Sequence, residues 1–158
     1  MKIKYLVQLI FFVVAFVAIL PVSTFGQDEK MANIAGQWEG VATQNEGGFR
    51  SEYKLQLFLF QKGDSITGRS YVTIDDAQIY VDMEVKGSIH SGILIRMSDI
   101  RMIDFKVKEG MEWCNKRYQL VVKREDNELV IEGYWQGDTS FSSCVPGRIY
   151  LRRYAPRA

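Results

Sequence analysis

An all-β fold is what this sequence predicts: an antiparallel meander of eight to ten strands closed into a barrel. Three observations carry that expectation. Apolar and polar residues alternate with a period of two along most of the chain after residue 35. Reversals rich in Gly, Asp and Asn interrupt these runs and are too short to hold crossover helices, which implies antiparallel neighbours. No helical stripe follows Leu20. A meander of this size must hide its edges, and closure into a barrel does so. A two-sheet β-sandwich is the alternative architecture.

The chain has 158 residues, enough for one ordinary domain. It opens with Lys2 and Lys4, followed by an apolar run from Tyr5 to Leu20 broken only by Gln8. Pro21 stops the run, and small residues lead to Gly26 before the charged Asp28-Glu29-Lys30. This pattern predicts a secretory signal peptide over 1–26 with a mature start at Gln27. The other reading is an uncleaved anchor, but 16 positions fall short of the roughly 20 needed to span a bilayer. No second hydrophobic span follows, so the mature chain is expected to have no membrane span and to be periplasmic or extracellular. Removing 1–26 takes away two lysines and no acid, moving the formal charge from +1 to −1. A nucleic-acid binder would need a basic face, so no nucleic-acid partner is expected. Residues 27–35 are short and polar at their start and read as a mobile N-terminal arm; 36–158 form the barrel domain.

Gly36-Gln37-Trp38-Glu39-Gly40 opens the first strand. Tyr53, Leu55, Leu57 and Leu59 then alternate with Lys54 and Gln56. The cleanest run is Ala77, Ile79, Val81, Met83 and Val85 against Gln78, Tyr80, Asp82, Glu84 and Lys86. Ile103, Phe105 and Val107 follow, then Tyr118, Leu120 and Val122, then Leu129, Ile131, Gly133 and Trp135, then Ile149 and Leu151. In each run the first-named set is expected to face inward. Lys62-Gly63-Asp64, Asp75-Asp76, Ser91-Gly92, Glu109-Gly110 and Glu125-Asp126-Asn127 fit tight reversals. Gly40, Gly68, Gly87 and Gly133 lie inside strands, where a coiled barrel wall uses glycine at its corners.

Cys114 and Cys144 are the two cysteines. In an exported chain an even count in a small domain reads as a disulfide. A metal would want further Cys or His nearby, and the one histidine is distant His90. His90 reads as a solvated residue beside a turn, and Asp75-Asp76 as turn formers rather than an acid–base pair. With no phosphate-binding glycine loop and no metal spacing, neither an enzyme nor a cofactor is expected.

The G-x-W-x-G spelling of Gly36–Gly40 occurs again at Gly133-Tyr134-Trp135-Gln136-Gly137. The first copy resembles the G-x-W signature of the lipocalins and their calycin relatives. That resemblance implies that Trp38 closes one barrel end under an arginine of the last strand, for which Arg152 is assigned from among Arg148, Arg152 and Arg153. Trp113-Cys114-Asn115-Lys116 and Cys144 to Leu151 are similar to small, uncharacterised secreted barrel domains of Bacteroidota. There the cysteines would staple the start of one strand to the start of the last.

The resemblance supports the architecture and not a ligand; the expected function is a secreted or periplasmic binding module for a small apolar or amphipathic molecule. Large inward side chains such as Leu55, Leu57, Ile79 and Val81 fill an eight-stranded barrel over much of its height. The ligand is therefore expected at a shallow site near one rim, with Tyr53, Tyr71, Met83 and Trp135 as its contacts. Arg148, Arg152, Arg153 and Arg157 read as a solvated last strand, with an anionic headgroup or glycan as the alternative. The runner-up function is a protein-binding barrel. Periplasmic metalloprotease inhibitors are also small G-x-W barrels and block their enzyme with an N-terminal arm, although their bridge lies near the chain start. An envelope structural protein without a ligand is the third reading; the expected partner is accordingly a small apolar ligand or an envelope protein.

Overall fold

The computed structural model describes residues 32–74 and 78–155. The expected signal peptide, arm residues 27–31, the Asp75-Asp76 reversal, Ala77 and Arg157 lie outside these residues. Eight strands follow one another: β1 (Gly36–Thr43), β2 (Glu52–Lys62), β3 (Ser65–Ile74), β4 (Ile79–His90), β5 (Leu94–Lys106), β6 (Asn115–Glu125), β7 (Glu128–Asp138) and β8 (Gly147–Arg153). Each pairs antiparallel with the next, and β1 pairs with β8, so the meander is a closed barrel. Among the described residues no helix is long and apolar enough to cross a membrane.

Alternation puts one face of each strand inside. Tyr53, Leu55, Leu57 and Leu59 of β2 are buried, as are Tyr118, Leu120 and Val122 of β6 and Ile149 and Leu151 of β8. Large aliphatic side chains therefore fill the interior over most of its height. The β1–β8 seam is tight because it lacks side chains where the strands approach. A Cβ on Gly40 would run into the Tyr150 carbonyl, and one on Gly147 into the Thr43 carbonyl. Alanine at either position would push the closing strands apart.

The two ends of the barrel differ. At one end the reversals are short: Gly63-Asp64, Ser91 to Ile93 and Asp126-Asn127. Asp126 and Asn127 both have left-handed backbone, φ 48° and 67°. The twist of such a turn matches that of the flanking strands. At the other end the chain forms three longer loops, 44–51, 107–114 and 139–146. The expected disulfide is present here, Cys114 to Cys144 with Cα atoms 6.3 Å apart. Ser140, in the β7–β8 loop, adds hydrogen bonds from its N and Oγ to the Glu112 carboxylate. A disulfide-bonded barrel fits an oxidising compartment.

Three expectations need correction. Residues 32–35 are not a free arm: Ile34 is fully buried, its N donates to Gln61 Oε1 at 2.8 Å, and Ala32 N donates to Gly92 O at 3.0 Å. They plug the end that has short turns. Ile103 and Phe105 do not face a core either; they are 43% and 54% exposed. β5 pairs with β4 along its length, with register shifts at Asp82/Met83 and Glu84/Val85 that each insert a residue. Each inserted residue resets the inward–outward alternation. β5 also pairs with β6 only from Leu94 to Ser98, so its second half is held by β4 alone. Glu109-Gly110 is accordingly part of the 107–114 loop rather than a tight hairpin.

Candidate functional site

The open end carries a small cavity of about 70 Å³ beneath its loops. Val72, Ile74, Tyr53, Trp113 and Trp135 line it. Phe49 and Met111 stand on the loops above. Inward parity delivers most of these: Tyr53 begins the buried set of β2, Trp135 the upper end of that of β7. Trp135 Nε1 donates to Thr43 O at 2.8 Å, and Tyr53 OH donates to Gln44 Oε1. Gln44 in turn donates from Nε2 to Val145 O at 3.1 Å, tying the β1–β2 loop to the β7–β8 loop. Tyr53 also meets Trp113 edge to face, ring centroids 6.5 Å apart.

Lys116 is the buried charged group in this lining. Only 6% exposed, it places Nζ 4.2 Å from the Trp113 ring centroid and 5.5 Å from that of Trp135. Nζ donates to Cys114 O at 3.3 Å. Burial pulls the ammonium down to about 8, only partly opposed by the attraction of Asp99. Asp99 sits where β5 leaves β6. Its carboxylate accepts from Lys116 N at 2.9 Å and from Tyr118 OH at 2.7 Å, closing the wall with a side chain where the ladder stops. Burial raises the Asp99 carboxyl above the usual range, and burial likewise raises the Tyr118 hydroxyl well above its own. Ser70, fully buried, lies 3.3 Å from the same hydroxyl. Trp113 Nε1 is buried with no hydrogen-bond partner among the described residues.

Of the four expected ligand contacts, the cavity gathers Tyr53 and Trp135. Tyr71 is a correction. It faces outward, its ring 5.7 Å from that of Tyr80, because Ile66, Ser70, Val72 and Ile74 hold the inward parity of β3. Met83 is 1% exposed and belongs to the inner wall, away from the cavity lining.

The tryptophan cap also changes partner. Trp38 is fully buried at the end opposite the cavity, and the Arg153 guanidinium lies over it at 4.9 Å. Arg152 was expected there. The β1–β8 register sets Arg153 opposite Trp38 and Arg152 opposite Glu39. Arg152 instead lies over Tyr150 and pairs with Glu125 and Glu128. Arg148 stacks on Tyr134, so the three described arginines have separate tasks and form no common anion site.

His90 Nε2 is 2.8 Å from Ser88 Oγ, both at the end with short turns. No carboxylate orients the other ring nitrogen among the described residues, so this contact lacks the third member a nucleophilic relay uses. No group of His, Cys, Asp and Glu among them could hold a metal ion.

Lys116, Asp99, Trp113 and Ser70 were missed by the sequence reading. A signal existed: extending the Tyr118-Leu120-Val122 parity back two residues turns Lys116 inward. Comparisons with protein-family models, curated proteins and solved structures returned no match to this chain.

Proposed function

We propose that the protein is a secreted or periplasmic binding module of lipocalin-like type that holds a small apolar or amphipathic molecule at one barrel rim. The observation that carries this reading is the aromatic-walled cavity at the open end, above an interior that aliphatic side chains fill. Ligand sites are typically concave and apolar, with a few polar groups placed to orient the guest. The cavity is small against the usual 300–1,000 Å³, which suits a shallow guest rather than one swallowed whole. Titration of tryptophan fluorescence with fatty acids, retinoid-like probes and small glycans tests it. The expected result is a saturable change with one class, carried by Trp113 and Trp135. No change with any class removes the small-ligand reading.

One observation favours a protein partner instead. Past Ser98, β5 has no strand on its β6 side among the described residues, and Ile100, Ile103 and Phe105 are exposed there. An open edge of this kind accepts an added strand from a partner. The inhibitor version of this reading loses ground, because residues 32–35 are spent on plugging the barrel. Native mass spectrometry of protein taken from its own host separates the two readings by the mass of what stays bound.

A further inference from the structure

We infer that the rim cavity selects monocarboxylic acids with a short apolar chain, and that the Lys116 ammonium is the anchor for their carboxylate. This rests on the binding-module reading above and names its ligand class.

The charge balance around Nζ points to an anion. An ammonium has three donors, and among the described residues the one hydrogen bond of Nζ goes to Cys114 O. The two indole faces stabilise the charge but bring no anion. Asp99, whose charge acts on the ammonium, directs its oxygens at Lys116 N and Tyr118 OH, not at Nζ. Glu112 also lines the cavity, yet its carboxylate is engaged by Ser140. A buried cation is thus left with incomplete compensation, facing an apolar space, and burying a charge without a partner is costly.

The guest's size and charge follow. One ammonium matches one negative charge. A phosphate dianion would bring excess charge beside Asp99 and Glu112. The unpartnered Trp113 Nε1 supplies a further donor in the same wall. About 70 Å³ holds a carboxylate and a few carbons, and a longer chain would leave past Phe49, which is 58% exposed at the mouth. Among the described residues the titratable groups facing Nζ are Asp99 from β5, Tyr118 of its own strand, Tyr53 from β2 and Glu112 from the β5–β6 loop.

The test compares hexanoate, methyl hexanoate and hexan-1-ol by tryptophan fluorescence and calorimetry on the full mature chain. Hexanoate should bind about 10- to 100-fold tighter than the ester or alcohol, the span expected of one charge-assisted hydrogen bond. Lys116→Met should abolish that preference, and Lys116→Arg should retain part of it. The unmodified protein gives a readout that needs no variant. Hexanoate affinity should fall as pH rises through about 8, where Lys116 loses its proton, while alcohol affinity stays level. Equal binding of all three compounds, unchanged in Lys116→Met, would overturn the anchor and leave the binding module standing. Failure of all three to bind would overturn the anchor, and the binding module would then stand or fall on the retinoid-like and glycan titrations.

Discussion

Trp38 and Trp135 carry the same five-residue spelling to opposite ends of one barrel, and the two ends do different things with it. Both indoles are buried, and each donates Nε1 to a backbone carbonyl at 2.8 Å, Ile34 O and Thr43 O respectively. The difference lies in what covers them. Over Trp38, Ile34 and Arg153 close the end. Beside Trp135 the cover is a set of long loops, and a cavity with a buried lysine remains. The motif therefore specifies an inward indole and nothing more; neighbours from elsewhere in the chain decide whether it is a plug or a wall.

The largest effect that can break this comparison is truncation of the plug. Trp38→Ala should cost about 3–5 kcal/mol in urea unfolding, the range for emptying a fully packed aromatic site. Trp135→Ala should cost less, because its side chain already borders a cavity. Equal losses would erase the distinction between the ends.

A middle-sized effect comes from Lys116. With the native ammonium titrating at about 8 and an ordinary lysine at 10.5, the unfolded chain binds more protons between those values. Stability should therefore rise with pH across that window. Above about 10 the Tyr118 hydroxyl, held protonated in the native state, acts in the opposite direction and ends the rise. Lys116→Met should stabilise the ligand-free protein near pH 7 by about 2 kcal/mol, part of what the shift represents, and should flatten the profile measured by thermal unfolding. A destabilised Lys116→Met would mean that the buried charge serves the fold.

The smallest effect sharpens the comparison at the plugged end. Arg153→Ala removes both the contact over Trp38 and a 2.6 Å hydrogen bond to Asn33 O, and should cost about 1 kcal/mol. Arg152→Ala, whose partners are solvent-exposed acids, should leave the unfolding midpoint unchanged. The reverse order would return the cap to Arg152.

Much of the wall was legible because burial on one face writes itself as alternation. β2, β4, β6 and β8 show it without a break, and the cysteine pair followed from compartment and count. β5 was misread because bulges cannot be seen in a period-two pattern; Ile103 and Phe105 keep the spelling of a half-buried strand while the strand parts from β6. Tyr71 was misplaced by size, since a large aromatic looks like a core residue until parity assigns Ser70 the inner position. Lys116 and Asp99 were hidden for the opposite reason. Charged residues look like surface, and only the parity of Tyr118 and Leu120, or of Ile95 and Met97, turns them inward.

The β1–β8 seam brings residues near both ends of the described chain to the same side of the molecule, where Tyr154 N reaches Gln37 O at 2.9 Å. Residues 32–35 and 153–155 lie beside the Trp38 plug, opposite the loops that cover Lys116. A tether or surface attachment introduced at these residues would hold the barrel by its sealed base and leave the mouth pointing away from the support.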